Sequence, residues 1–240
     1  MRVHPSIALP AASTQLLTIT EVIDVGPRMR RVTLSGGALA QFVALPGQDV
    51  VLHLDVGQAG KVSRRYTIRN LDHRHGRFDL DFVMHGHGPG AAWAGSVQIG
   101  DEIEIFGPRG KVLLAERGWH LFAGDESALP GIAEMIGALP AGPQALAFIE
   151  VHDDQDEQSI EAAARIDVRW LHRSPTAPGQ AHLLDEVLQT VAIPDADRHA
   201  YLFGESRVVR RLRDLLAGRG LRPDEISAKG YWNLGRPAGD

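Results

Sequence analysis

The stretch SRRYTIRN, residues 63–70, sets three arginines, Arg64, Arg65 and Arg69, around Tyr66 and Thr67. A guanidinium offers a planar fork of donors that fits phosphate oxygens, and a tyrosine ring can lie against a flat heterocycle. A threonine hydroxyl can donate to a ring nitrogen or carbonyl. Arg-x-Tyr-Thr is therefore suited to a flat, phosphate-bearing molecule such as a flavin nucleotide. The same residues also suit an exposed strand whose arginines discourage edge pairing.

Three further stretches could carry chemistry. In HGHGPGAAWA, His85–Ala94, Gly86, Gly88 and Gly90 allow close backbone approach, and the small residues that follow could open a helix whose free amides attract phosphate. A bare strand-to-helix turn would look alike. His85 and His87, with His73 and His75 nearby, lack the carboxylates that would complete a ligand set, so no protein-bound metal is expected. FAGDESALPGIAEM, Phe122–Met135, reads as a strand, a glycine turn, Ser127 and a helix, the arrangement of a dinucleotide site without the Gly-x-Gly-x-x-Gly fingerprint. An ordinary βα turn would also read so. SAKGYWNLG, Ser227–Gly235, supplies an aromatic pair that either meets a ring or closes a core.

The elements that must position these residues fall into two groups. LLTITEVIDV, MRRVTLSG, QDVVLHLDV, RRYTIRN, RFDLDFVMH and DEIEIFG are short runs, several of them alternating, separated by turns. Such spacing predicts an antiparallel barrel or sandwich. Beyond Gly107-Pro108, apolar strand runs alternate with helical stretches, among them DEQSIEAAARI, AHLLDEVLQTV and SRVVRRLRDLLAGRG. That alternation predicts a parallel sheet covered by helices. The expected organisation is a two-domain α/β protein, with an antiparallel β-barrel over 15–110 and a parallel α/β domain over 118–240. The acidic tract HDDQDEQ is expected to be a solvated loop.

Composition narrows the function classes. Of 240 residues, 44% are hydrophobic, enough for a real core, and the net charge of -5 argues against a general nucleic-acid binder. There are 0 cysteines, so disulfides, thiolate metal sites and a cysteine nucleophile are excluded. The opening MRVHPSIALPAAS, broken by Pro5 and Pro10, reads as a loosely held leader rather than a secretory signal, and no run approaches a spanning helix. The expectation is a soluble, cytoplasmic protein without membrane insertion.

Taken in order, the four stretches resemble the siderophore-interacting protein family of FAD-dependent ferric-siderophore reductases, relatives of the ferredoxin–NADP reductases. The resemblance runs over about residues 15–235. Arg64-x-Tyr66-Thr67-x-Arg69 matches the flavin motif, and His85-Gly86 through Gly88-Pro89, with Trp93-Ala94, matches the pyrophosphate turn. GPRG, AGDESALP, LFGE and GYW fall where the family has similar strings. The resemblance implies a flavin-binding barrel and a nicotinamide-binding domain that pass electrons from NADH or NADPH through FAD to a ferric siderophore. It places Arg64 on FAD phosphate, and Tyr66 and Thr67 on the ring. His85, Gly88 and the amides near Ala91 and Ala92 would hold the remaining FAD groups. Glu126 and Ser127, with Gly204 and Glu205, would line the nicotinamide path, and Tyr231 or Trp232 would cover the other side of the flavin. No residue is expected to act as a catalytic acid or base, because the redox chemistry belongs to the cofactor.

Two points depart from the pattern or leave it open. Where many members carry a basic residue after GYW, this chain has Asn233. Arg236, with Lys61, Arg65 and Arg109, would then be the candidates for receiving an anionic chelate. The acidic EVHDDQDEQ should repel a 2′-phosphate and favour NADH, whereas Arg169 and Arg173 on the next strand could serve NADPH. A general NAD(P)H:acceptor flavin reductase and a non-enzymatic siderophore-binding flavoprotein are the competing readings.

Overall fold

The computed structural model describes residues 9–55, 57, 60–84 and 88–235. The opening segment through residue 8, His85 and His87, and Arg236 lie outside the described residues.

Strands β1 (Ser13–Gly26), β2 (Met29–Ser35), β3 (Asp49–Asp55), β4 (Lys61–Thr67), β5 (Arg69–Asp72), β6 (Arg77–Val83) and β7 (Glu102–Arg109) form one sheet in the order β4-β3-β7-β1-β2-β6-β5. Every pairing in it is antiparallel. Period-two alternation drives it. Phe78, Leu80 and Phe82 of β6 and Ile103 and Ile105 of β7 point inward, while Glu102 and Glu104 point out. The sheet curls until Tyr66 of β4 meets Phe82 of β6 at 4.1 Å between ring centroids. Helix α1 (Pro89–Ser96) lies against this junction, with Trp93 5.2 Å from Phe82. The first and last of these strands are neighbours, since Ser13 opposes Gly107 and Thr18 opposes Glu102.

Residues 110–118 then run without regular structure to a second sheet. It contains β8 (Trp119–Asp125), β9 (Gln144–Val151), β10 (Arg165–His172), β11 (Arg198–Glu205) and β12 (Ile226–Trp232), in the order β10-β9-β8-β11-β12 and wholly parallel. Strands β8, β9 and β11 are buried almost throughout, as central parallel strands must be. Helix α2 (Leu129–Gly137) packs on one face, and α3 (Leu183–Thr190) and α4 (Ser206–Gly218) on the other.

One expected helix is absent. In DEQSIEAAARI only Asp156 winds, as the end of the 3-10 turn Asp154–Asp156; residues 157–164 have no regular structure and Arg165 begins β10. Ile160, Ala162 and Ala164 reach the core while Glu161 and Ala163 face out, which is the period of extended chain and not of a helix. The acidic tract is also less solvated than its composition implies. Arg28, in the turn between β1 and β2, reaches Asp153 at 3.0 Å and Asp156 at 2.8 Å, and Asp156 is buried. Two more contacts tie the sheets together. The Asn70 amide donates to Glu134 on α2 at 3.3 Å, and Lys229 on β12 reaches Asp49 on β3 at 2.7 Å.

Candidate functional site: a cleft between the two sheets

A cleft of about 810 Å³ opens where β4 and α1 of the first sheet face α2 and β12 of the second. Strand β4 contributes Arg64, Arg65, Tyr66 and Thr67; the start of α1 contributes Gly88, Pro89, Gly90 and Ala91. Arg109 closes one side, and Ser127, Tyr231 and Trp232 come from the parallel sheet. Asn233 also lines it.

The Tyr66 phenol is buried against the barrel, and that desolvation pushes its pKa well up while Arg64 opposes the shift, so it stays a neutral hydroxyl. Its oxygen occupies space that only glycine leaves open: a Cβ on Gly90 would lie 1.7 Å from it. Arg64 makes one hydrogen bond, to the carbonyl of Ser63 at 2.8 Å, and among the described residues it has no carboxylate partner. Helix α1 begins with Gly88 as N-cap and Pro89 in its first turn, without a side-chain cap. Its first intrahelical bond runs from the Ala92 amide to the Gly88 carbonyl at 2.9 Å. The amides of Gly90 and Ala91 therefore precede the helical ladder at the cleft wall. A free guanidinium beside uncapped amides and a slot with an aromatic floor fit a flavin dinucleotide.

On the opposite wall the Tyr231 hydroxyl comes close to Gly131, as does the Thr67 hydroxyl from β4, and burial pushes the Tyr231 phenol up as well. In the pairing of β11 with β12, Gly204 opposes Gly230 and Glu205 opposes Trp232, so Tyr231 has no register partner. Such a bulge re-aims a side chain, here toward the cleft. Trp232 Nε1 donates to Asp125 Oδ2 at 2.8 Å. The same carboxylate accepts from the Glu205 amide at 3.0 Å, and its other oxygen from the amide and hydroxyl of Ser127.

The remaining expected site residues lie off the lining. Arg69 turns inward to Asp81 at 2.8 Å, although Asp81 itself borders the cleft. Trp93 faces the barrel core, and Ala92 continues α1 beneath it. Lys61 stands at the far end of β4 opposite Asp55. Glu205 caps α4 by accepting from the amides of Arg207 and Val208. Gly204 has φ of +127°, and a Cβ there would stand 2.5 Å from the Asp125 carboxylate. Glu126 is held by both arms of Arg173 at 2.6 Å. Arg65 does line the cleft but is likewise engaged, with both carboxylate oxygens of Asp49 at 2.9 Å. His73 meets the Leu39 carbonyl and His75 meets Asp72, so neither joins the cleft.

Sequence reasoning missed the apolar lining of Val51, Val83, Phe106 and Pro130, and the His53–Ser63 contact of 3.1 Å at the rim. These residues come from strands and a helix far apart in the chain. Only the alternation of β3 and β7 hinted at which side they would take.

An antiparallel curled sheet followed by a parallel α/β sheet, with a cleft between them, is the two-domain fold of the ferredoxin reductases. Residues 117–235 match the siderophore-interacting protein family, and residues 55–112 match the siderophore-interacting FAD-binding domain. Ferric vibriobactin reductase ViuB of Vibrio cholerae is 31% identical over 247 residues, which span 92% of this chain and 90% of that protein. The NADPH-dependent ferric-chelate reductase of Escherichia coli is 28% identical over 240 residues, 90% of this chain and 92% of that one. The crystal structure of a siderophore utilization protein from T. fusca superposes with a TM-score of 0.88 at 31% identity, covering 97% of each chain. The chain belongs to the siderophore-interacting protein family.

Proposed function

We propose that this protein is a FAD-dependent ferric-siderophore reductase that draws electrons from a reduced nicotinamide nucleotide and releases iron as Fe(II). The observation that carries this reading is the convergence of Arg64, the uncapped start of α1 and Tyr66 in a cleft whose far wall is Tyr231 and Trp232 of the parallel sheet. FAD held there would supply the chemistry that matches a two-electron hydride donor to a one-electron acceptor.

The chain's own part is placement. Arg64 and the amides of Gly90 and Ala91 hold phosphate; Tyr66 and Thr67 face the ring; Tyr231 closes the opposite wall. His85 completes the flavin set in this proposal, with Arg69 behind it, held on Asp81 at the border of the cleft. We assign flavin binding to residues 15–110 and nicotinamide binding to 118–240, with Ser127, Glu126, Gly204 and Glu205 at the nicotinamide path. Ferric chelate approaches past Arg109, with Lys61, Arg65 and Arg236 adding positive charge. No side chain is assigned a proton-transfer role. Reduced nicotinamide is an intracellular metabolite, so the proposal places the protein in the cytoplasm. No described helix is long and apolar enough to cross a membrane.

For the nucleotide we favour NADH. Arg173 is buried and committed to Glu126, so it is not free to meet a 2′-phosphate, and Arg169 already faces Asp167 at 2.7 Å. The Escherichia coli relative is named for NADPH, which makes the comparison a real test. A kcat/KM for NADPH more than about tenfold above that for NADH overturns the preference.

The whole reading is tested by the visible spectrum of the purified protein. A yellow protein, bleached by NADH without oxygen and recoloured by a ferric chelate, is the expected result. A folded protein that binds no flavin refutes it. Faster turnover with quinones or free flavin than with any ferric chelate would favour the general acceptor reductase instead.

A further inference from the structure

Asp49 is a carboxylate with two cations from two sheets. It is 2% exposed at the start of β3. Arg65, its neighbour on β4, grips it with both Nε and Nη2 at 2.9 Å. Lys229, on β12 of the other sheet, donates Nζ to its Oδ2 at 2.7 Å. The Lys229 ammonium also stands 5.0 Å from the centre of the Tyr231 ring, two residues along the same strand.

Strand β12 needs such a tie. It pairs only with β11, at the edge of its sheet, and its register breaks at Tyr231. A bulged edge strand has fewer backbone bonds to fix its side chains. Trp232 is held from the second sheet by Asp125, and Lys229 is held from the first sheet by Asp49. Tyr231 lies between these two anchors, one in each half of the molecule.

We propose that Asp49 and Lys229 form a latch across the cleft that sets the pose of Tyr231, and with it the alignment of the nicotinamide-binding half on the flavin slot. Lys229 is a positioning residue in this scheme; it acts through Tyr231 and the relative placement of the sheets. The proposal rests on the reductase reading for its consequence, but the latch itself belongs to the polypeptide.

The charges make Lys229 the informative residue to change. Removing Asp49 would leave Arg65 and Lys229 as adjacent cations without a counter-ion, and could disturb the fold. Removing the Lys229 charge leaves Asp49 still gripped by Arg65, so no carboxylate is orphaned. Lys229→Met keeps the length of the stem, and Lys229→Arg keeps the charge.

The experiment compares wild type, Lys229→Met and Lys229→Arg in the full chain. Amide hydrogen exchange across residues 226–232, measured without cofactor, should quicken at least about tenfold in Lys229→Met and stay near wild type in Lys229→Arg. In flavin-loaded protein, bleaching by NADH should slow at least about tenfold in Lys229→Met, while dithionite-reduced protein passes electrons to ferric EDTA at the wild-type rate. Flavin affinity should fall less than the bleaching rate, because Arg64 and the amides of Gly90 and Ala91, assigned to phosphate, are unaltered. Wild-type exchange together with wild-type bleaching in Lys229→Met overturns the latch. So does a slowing matched by equal losses in flavin affinity and ferric reduction, which would mark general damage. If wild type itself is not bleached by NADH or NADPH, the reductase reading fails, and the exchange comparison still decides the latch.

Discussion

Trp232 Nε1 and Asp125 Oδ2, 2.8 Å apart, join the C-terminal ends of β12 and β8 across the strand that separates them. Asp125 is 6% exposed, so its oxygens are met by protein donors rather than by bulk water. Trp232→Phe deletes one donor and keeps most of the ring. We expect a loss of about 1–3 kcal/mol in unfolding free energy by urea titration, because a buried carboxylate loses a hydrogen bond. An unchanged midpoint would show that the contact contributes nothing.

Gly90 and Tyr66 make a second relationship that substitution can probe. A methyl group at residue 90 cannot coexist with the Tyr66 hydroxyl where it now stands. Gly90→Ala should therefore displace the ring and weaken FAD binding by at least about tenfold, read from quenching of flavin fluorescence. Adding Tyr66→Phe removes the oxygen in closest conflict and should recover part of the loss. Equal affinity in Gly90→Ala and wild type would deny the conflict.

Arg64 should act through charge. Arg64→Ala is expected to weaken FAD binding by about tenfold or more at low salt, with a smaller difference at about 1 M salt where screening is short-ranged. A deficit that ignores salt would assign the residue to packing instead.

The pH dependence of stability contains two opposed contributions. His199 is 7% exposed, and burial, with help from His120 and Arg117, lowers its pKa from 6.5 to about 4. The unfolded chain binds that proton more readily, so stability falls as pH drops from about 6.5 toward 4, by about 3 kcal/mol at 1.36 kcal/mol per pKa unit. Glu150 is raised by burial, with Arg173 opposing, from 4.5 to about 7. Here the folded chain holds the proton better, so stability is lost as pH rises through that interval. His199→Gln should flatten the acid side, and Glu150→Gln should raise stability at pH 8. Unfolding free energies at pH 4.5, 6 and 8 separate the two; a His199→Gln protein as acid-sensitive as wild type would remove the first.

Much of this architecture was legible because burial writes its period into the chain. RFDLDFV and EIEIFG alternate as half-buried antiparallel strands do, and HAYLFGE is apolar enough to be a central parallel strand. The segment containing Ile160, Ala162 and Ala164 misled because its alanines and glutamates favour helix locally, whereas the core contacts select every second residue. In the cleft, the local signals around Tyr66, Gly88 and Tyr231 were readable, since each residue type has its own chemistry. The commitments of Arg65, Arg69 and Arg173 were not. Each depends on a carboxylate 12 to 47 residues away, and a sequence window does not show which cation is already neutralised.

The pairing of Ser13 with Gly107 means that the polypeptide enters and leaves its first half at hydrogen-bonded neighbours. A unit whose two ends meet can be spliced between other segments without stretching either junction. The antiparallel half is thus portable by itself, but its cleft is not: the far wall, Tyr231 and Trp232, comes with the parallel half.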